Sequence, residues 1–151
     1  MKGRAYEELV RQVLQGLPTD EGQVRGGVRN KIIGASGYGH QIDVSIHSPT
    51  TMHLIECKHW THRVGVQAVL THAGRLIDIQ AAHPGVAVTA AVASTQPATR
   101  GAKSLAKHFD VTIDTVSSVG DYVVRLKRAF FAMKSDDIPI ADGLIVKVIR
   151  G

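Results

Sequence analysis

Between residues 3 and 17 the apolar positions Tyr6, Leu9, Val10, Val13, Leu14 and Leu17 recur at helical spacing and share one face, and Gly16 and Pro18 end the segment. The pattern then changes period. "VRGGVRNKII" (24–33) reads as a strand with a glycine break, "GASGYGH" (34–40) as a turn or mobile loop, and "QIDVSI" (41–46) as an alternating, β-branched strand. "HSPTT" turns the chain and "MHLIECKHW" (52–60) returns, so these two strands are expected to form an antiparallel hairpin. A helix is predicted over 64–82, with Val66, Val69, Leu70, Ala73, Leu76, Ile77 and Ala81 on its apolar face. "GVAVTAAV" (85–92) is apolar on both faces, as a buried parallel strand requires. A helix opened by Pro97 follows over 97–109, then a strand over 111–114. The order αβββαβαβ predicts an α/β fold with one mixed central sheet flanked by helices on both faces. Beyond residue 115 the periodicity weakens to a helix over 121–134 and a strand over 144–149.

Length confines this pattern to one domain: 151 residues bury a single sizeable core. We divide it into a core over 1–115 and an extension of the same domain over 116–151. With 44% hydrophobic but only 5% aromatic residues, the core must be built from Val, Ile, Leu and Ala. The net charge of +5 points to an acidic partner, for which nucleic acid is the usual choice. A single cysteine, Cys57, excludes an intrachain disulfide and favours a reducing compartment. With neither a signal-like apolar core at the N-terminus nor a run long enough to span a membrane, a cytoplasmic protein is expected.

Charges inside "HLIECKHW" require an explanation. Alternation puts Glu56 and Lys58 on one face of the strand and Cys57 on the other. Asp43 shares its face with Gln41 and Ser45, while Ile42, Val44 and Ile46 face the opposite way. In a hairpin Asp43 and Glu56 become neighbours, and two close carboxylates repel unless a cation sits between them. Hard oxygen donors of this kind suit Mg²⁺. A lysine beside them can orient a water or stabilise charge developing on a phosphate. The plainer alternative is a salt bridge between Lys58 and either Glu56 or Asp43.

A strand carrying "QIDV", a short turn and a strand ending "IECK" resembles the PD-(D/E)xK nuclease superfamily, and more narrowly its Mrr-like restriction endonuclease branch. "GRAYEELV" resembles the opening helix of these domains, "ECKHW" with the helix after it resembles their post-motif segment, and "GVAVTAAVASTQPATRGAKSLAKHFDVTID" resembles their closing strand–helix–strand. The likeness covers about residues 3–115. It implies a restriction-endonuclease-like core that hydrolyses DNA phosphodiesters with Mg²⁺, Mn²⁺ serving as a substitute. Asp43 and Glu56 match the metal-binding carboxylates, the backbone carbonyl of Cys57 would also face the metal, and Lys58 matches the residue that positions the water. Glu7, which follows the aromatic Tyr6 and lies at the edge of the apolar helix face, matches the helical acid that completes the site; Glu8 points to solvent. Ile42 stands where the superfamily name has proline, at a position that varies widely.

Gln67, in the first turn of the helix after the motif, is a candidate to contact a phosphate or a catalytic group. Arg29 and Lys31, with Arg25 nearby, and the helical stripe Arg100, Lys103, Lys107 are candidate DNA-binding residues; Arg125, Lys127 and Arg128 form a third basic group. Trp60 reads as a rim-packed side chain. Cys57, His59, His62 and His72 are the tightest cluster of zinc-type ligands, but their spacing is poor for a tetrahedral site. "GASGYG" lacks dinucleotide-binding spacing and joins two strands rather than a strand to a helix. A double-strand break most simply takes two sites on a two-fold axis, so a homodimer is expected, with Phe130, Phe131 and 144–149 as the interface. The alternatives to a restriction-type nuclease are a nuclease specific for branched DNA, as in Holliday-junction resolvases, and a DNA-binding module of the same fold that does not cut.

Overall fold

A computed structural model describes residues 23–58 and 61–116. The expected helix over 3–17 with Glu7 and Glu8, residues His59 and Trp60, and the extension from residue 117 onward lie outside them. In chain order the elements are β1 (Gln23–Gly26), β2 (Lys31–Ile33), β3 (Gly39–Gln41), β4 (Val44–His47), β5 (Thr51–Lys58), α1 (Val66–Ala82), β6 (Ala87–Ser94), α2 (Arg100–Phe109) and β7 (Val111–Thr115). Five strands form one sheet in the order β1-β4-β5-β6-β7. Its β1–β4–β5 half is antiparallel and its β5–β6–β7 half parallel, the latter joined through α1 and α2. This is the expected mixed α/β sheet of a restriction-endonuclease-like core; of the helices expected on both faces, the two among the described residues, α1 and α2, pack on the same one.

The main hairpin forms as expected, with Val44 opposite Ile55 and His47 opposite Met52. Met52 and Leu54 of β5 pack with Val88, Ala90 and Val92 of β6 against Val69, Ala73, Leu76 and Ile79 of α1 and Ala102 and Ala106 of α2. Val44, Ile46, Ile55 and Ala91, on the other face, are fully buried as well. Burial on both faces explains why β5 and β6 read as continuous apolar runs. Each fully buried Ile or Leu contributes roughly 2 kcal/mol.

Four expectations need correction. First, neither 24–33 nor 41–46 is one strand: the former splits into β1, which pairs with β4 in the main sheet, and β2, which pairs with β3 in a separate ribbon. Gln41 ends β3, which pairs with β2 as a separate two-stranded ribbon, while Val44 begins β4 in the main sheet. The chain changes partners at Ile42–Asp43, so alternation breaks there, and Ile42 joins the core beside Leu54 instead of facing with Val44 and Ile46. Asn30 holds the crossing. Its Nδ2 donates to the Ile42 carbonyl at 3.0 Å and to Ser45 Oγ at 3.0 Å, and its own carbonyl accepts the Ile42 N–H at 3.0 Å. Second, the glycine-rich turn 34–38 is fastened to α1 rather than poised as a mobile loop. Asp78 accepts from Ser36 N–H at 2.8 Å and Ser36 Oγ at 2.6 Å. Gly34 lies so close to the Asp78 carboxylate that a Cβ there would collide with it. Third, the buried stripe of α1 is Val69, His72, Ala73, Leu76 and Ile79. Val66, Leu70, Ile77 and Ala81 are exposed, because at 100° per residue they fall beyond the edge of that stripe. Fourth, α2 starts at Arg100, capped by Thr99, whose Oγ1 accepts the Ala102 N–H at 3.2 Å. Pro97 precedes the helix, and its carbonyl accepts the Val64 N–H.

Candidate active site

The alternation of β5 carries Glu56 and Lys58 to the end of the strand on the face of Met52 and Leu54, toward the helices. The Glu56 side chain is only 3% exposed. A carboxylate buried this deeply requires countercharge, and among the described residues Lys58 and Arg75 supply it. Lys58 Nζ lies 2.8 Å from Oε1, and Arg75 Nη1 lies 3.0 Å from Oε2. Glu56, two positions along its own strand, is thus a salt-bridge partner of Lys58. Arg75 comes from α1, at the edge of the buried stripe one turn beyond His72.

Asp43 is fully buried at the point where the chain enters β4. The register that sets Val44 opposite Ile55 brings Asp43 level with Glu56. Its Oδ2 accepts the Cys57 N–H at 2.9 Å, fixing the carboxylate to the backbone next to Glu56. The break between β3 and β4 allows this, since a side chain inside a regular ladder does not reach a neighbouring strand's amide. Asp43, Glu56, Cys57 and Lys58 are therefore brought together. The Cys57 side chain is buried on the face opposite Glu56.

Two buried histidines, His72 of α1 and His53 on the opposite face of β5 from Glu56, are both neutral. His72 Nε2 donates to the Leu54 carbonyl at 3.2 Å, and burial, outweighing the pull of Glu56, lowers its pKa from 6.5 to about 4. His53 pairs through Nδ1 with Thr89 Oγ1, and burial lowers its pKa to about 4 as well. With Nε2 of His72 on a backbone carbonyl and Cys57 across the sheet, these residues do not converge as zinc ligands. Among the described residues no group of three or more His, Cys, Asp or Glu side chains is placed to hold an ion. Two buried carboxylates nevertheless fit Mg²⁺, which takes one or two carboxylates and fills its remaining positions with water and phosphate oxygens.

The other candidates lie on the surface. Gln67 is exposed in the first turn of α1, Arg29 and Lys31 are exposed on the β2 side of the ribbon, and Arg100, Lys103 and Lys107 line the exposed face of α2. Glu7 lies outside the described residues. Sequence reasoning passed over Arg75 and Asn30. The available signal for Arg75 was its place on the helical wheel beside His72 and Ile79; for Asn30 there was none, since its role depends on a change of strand partners.

A family model described as a restriction endonuclease, Mrr_cat, matches residues 1–120. No curated protein matches the sequence. Among solved structures, a protein of unknown function, AF1548, superposes with a TM-score of 0.56 at 15% identity, over 74% of this chain and 58% of that one. A repair endonuclease from Pyrococcus abyssi aligns with a TM-score of 0.49 at 13% identity, over 74% of this chain and 45% of that one. An XisH family protein from Nostoc punctiforme PCC 73102 aligns with a TM-score of 0.44 at 15% identity, over 75% of this chain and 92% of that one. The chain thus spans 58% and 45% of the first two structures' lengths. No helix among the described residues is long and apolar enough to cross a membrane. With the family model covering most of its length, the chain belongs to the Mrr family of restriction endonucleases, nucleases of the restriction-endonuclease type.

Proposed function

We propose that the chain is a Mg²⁺-dependent DNA endonuclease in which Asp43 and Glu56 bind the metal, with Mn²⁺ able to replace it, and Lys58 positions the attacking water. The observation that carries this reading is the fastening of Asp43 to the Cys57 amide, beside a Glu56–Lys58 pair that is almost entirely shielded from solvent. Charges placed together in a core are costly, and a chain that needed only stability would replace them with apolar side chains.

A divalent ion at this site would supply Lewis-acid stabilisation of the charge that develops on the phosphate oxygens. The protein's own groups do the rest. Asp43 is held rigidly by its backbone hydrogen bond, which limits its reorientation during the reaction. Lys58, whose side chain is 13% exposed, is the cation between buried Glu56 and the solvent side, where a water and a phosphate can arrive. There its ammonium can donate to the water that forms the new P–O bond, as the bond to the leaving ester oxygen breaks. Arg75 holds Glu56 in place from the helix. Glu7 and the Cys57 carbonyl remain candidates for the same centre, and Gln67 for a contact beside it. The exposed Arg100, Lys103 and Lys107 are candidate phosphate contacts. A homodimer acting in the cytoplasm belongs to the same proposal; its expected interface lies outside the described residues.

Plasmid, linear duplex and four-way-junction DNA incubated with the protein in Mg²⁺, Mn²⁺, Ca²⁺ or chelator test this reading. Cutting in Mg²⁺ and Mn²⁺, and binding without cutting in Ca²⁺, are expected. Undiminished cutting in excess chelator would refute the metal mechanism. Cutting confined to the junction would assign the chain a resolvase-like role.

A further inference from the structure

The β2–β3 ribbon stands apart from the main sheet and is built unlike an ordinary surface hairpin. Only Ile32 of β2 turns into the core, while its neighbours Lys31 and Ile33 face outward. Val28 is 74% exposed, Tyr38 66% and Ile33 63%, the most exposed large hydrophobic side chains among the described residues. Ile33 and Tyr38 belong to the ribbon and Val28 to the turn that leads into it, and large exposed apolar side chains within so short a stretch suit an interaction site. The charge on the ribbon has one sign. From Gly22 to Ile42 the sequence contains Arg25, Arg29 and Lys31 and no aspartate or glutamate.

The ribbon is also held in place. Asp78 reaches from α1 to Ser36 at the turn, and His40 Nε2 on β3 lies 2.6 Å from Asp78 Oδ2. The hydrogen bonds from the Ser36 hydroxyl, His40 and the Ser36 backbone N–H hold the Asp78 pKa down at about 2, so the carboxylate stays ionised and keeps these contacts. Tyr38 rests edge-on against His40 with ring centroids 5.0 Å apart. An exposed aromatic ring supported from below loses little freedom on binding, which favours contact.

We infer that the β2–β3 ribbon is a DNA-contacting element, in which Arg29 and Lys31 neutralise phosphates and the Tyr38 ring packs against a nucleotide. The inference rests on the nuclease reading and adds to it a binding residue, Tyr38, and a fixed element that carries it. Arg29 and Lys31, in a stretch with no acidic residue from Gly22 to Ile42, favour a polyanion such as DNA as the occupant. Aromatic stacking on bases tolerates any sequence, as suits a ribbon that serves general affinity.

The test is fluorescence anisotropy with a labelled random-sequence duplex that carries a single-stranded tail, whose unpaired bases can stack on a ring, in Ca²⁺, using full-length protein, across a salt series. Tyr38→Ala should weaken binding by roughly tenfold, and Tyr38→Phe should bind like wild type, because the ring rather than the hydroxyl makes the contact. Lys31→Ala should lower the slope of log affinity against log salt by about one. Leu70→Ala, an exposed apolar change on α1, serves as the control and should leave binding unchanged. Circular dichroism of each variant checks the fold. Wild-type affinity in Tyr38→Ala, with wild-type protein binding DNA normally, would overturn the ribbon while leaving the nuclease reading intact. Wild-type protein that fails to bind DNA at all would overturn both. Self-association that Tyr38→Ala abolishes without affecting DNA affinity, read by sedimentation, would reassign the ribbon to a protein interface.

Discussion

Arg75→Met removes a cation that holds the buried Glu56 carboxylate while keeping most of the side chain's length. Removing one partner of a fully buried ion pair costs about 3–5 kcal/mol. Here the cost is reduced twice, because Arg75 is itself 22% exposed and because Lys58 remains 2.8 Å from the other oxygen. A loss of about 1–2 kcal/mol is therefore expected, which for a chain of this size lowers Tm by roughly 3–8 °C. The same change should alter the response to metal. Arg75 pairs with the carboxylate that would hold a divalent ion under the proposed function, so it would compete with the ion for Glu56. Without it the ion meets an under-neutralised carboxylate, binds more tightly, and restores more of the stability. Differential scanning fluorimetry of wild type and Arg75→Met, with chelator and with a Mn²⁺ titration, reads both effects, and calorimetric titration gives the affinity directly. A Tm for Arg75→Met equal to wild type in chelator would show that Lys58 alone neutralises Glu56. A Mn²⁺-induced gain no larger than that of wild type would remove Glu56 from the metal site.

Lys58→Ala should abolish cutting while leaving DNA affinity nearly unchanged, with a moderate fall in Tm because Glu56 keeps Arg75; cutting reduced only in proportion to the unfolded fraction would make Lys58 structural. Acid should destabilise the fold through His53 and His72, whose pKa values are lowered to about 4. Between pH 6.5 and 4 the unfolded chain binds protons that the native state refuses, so stability is complete above about pH 6.5 and declines toward pH 4. Each ring contributes at most about 3 kcal/mol, and a urea midpoint constant over that range would contradict the burial of the two rings. Thr99→Ala should cost about 1 kcal/mol by uncapping α2, measured in the same urea series. A Thr99→Ser variant at wild-type stability would show that the hydroxyl is the cap.

The elements legible in the sequence were those with long, unambiguous periods. β5, β6, α1, α2 and β7 all appear where apolar spacing placed them, and the hairpin that sets Asp43 beside Glu56 followed from two β-branched runs and a short turn. Boundaries went astray where a local rule competed with another. Pro97 suggested a first helical turn, but Thr99 supplies the hydrogen bond that a helix start needs, and the hydrogen bond decides. The face of α1 was drawn too wide because Leu70 and Ile77 count as apolar whether or not anything covers them, whereas His72 was left out because a neutral buried ring looks polar on paper. The break within 41–46 was illegible for a different reason. Nothing in "QIDVSI" says that its ends pair with different partners. That information resides in Asn30, far away in sequence, whose amide bridges the Ile42 carbonyl and Ser45 Oγ.

That bridge bears on chemistry as well as on topology. Had the segment run on as one strand, Asp43 would occupy an ordinary ladder position, with its carboxylate above the sheet and the Cys57 amide out of reach. The change of partners at Ile42–Asp43 frees the backbone there and lets the carboxylate turn to the Cys57 N–H. Glu56 is placed by a separate device, the end of β5, and its charge is balanced by a third, the Arg75 guanidinium from α1. Three independent elements thus meet on a few buried polar atoms. The arrangement costs stability relative to an apolar filling, and the cost is contained because each carboxylate has a defined partner before any ligand arrives. Groups fixed in this way would need little reorientation if charge develops on a phosphate there, which is what the proposed chemistry requires of them.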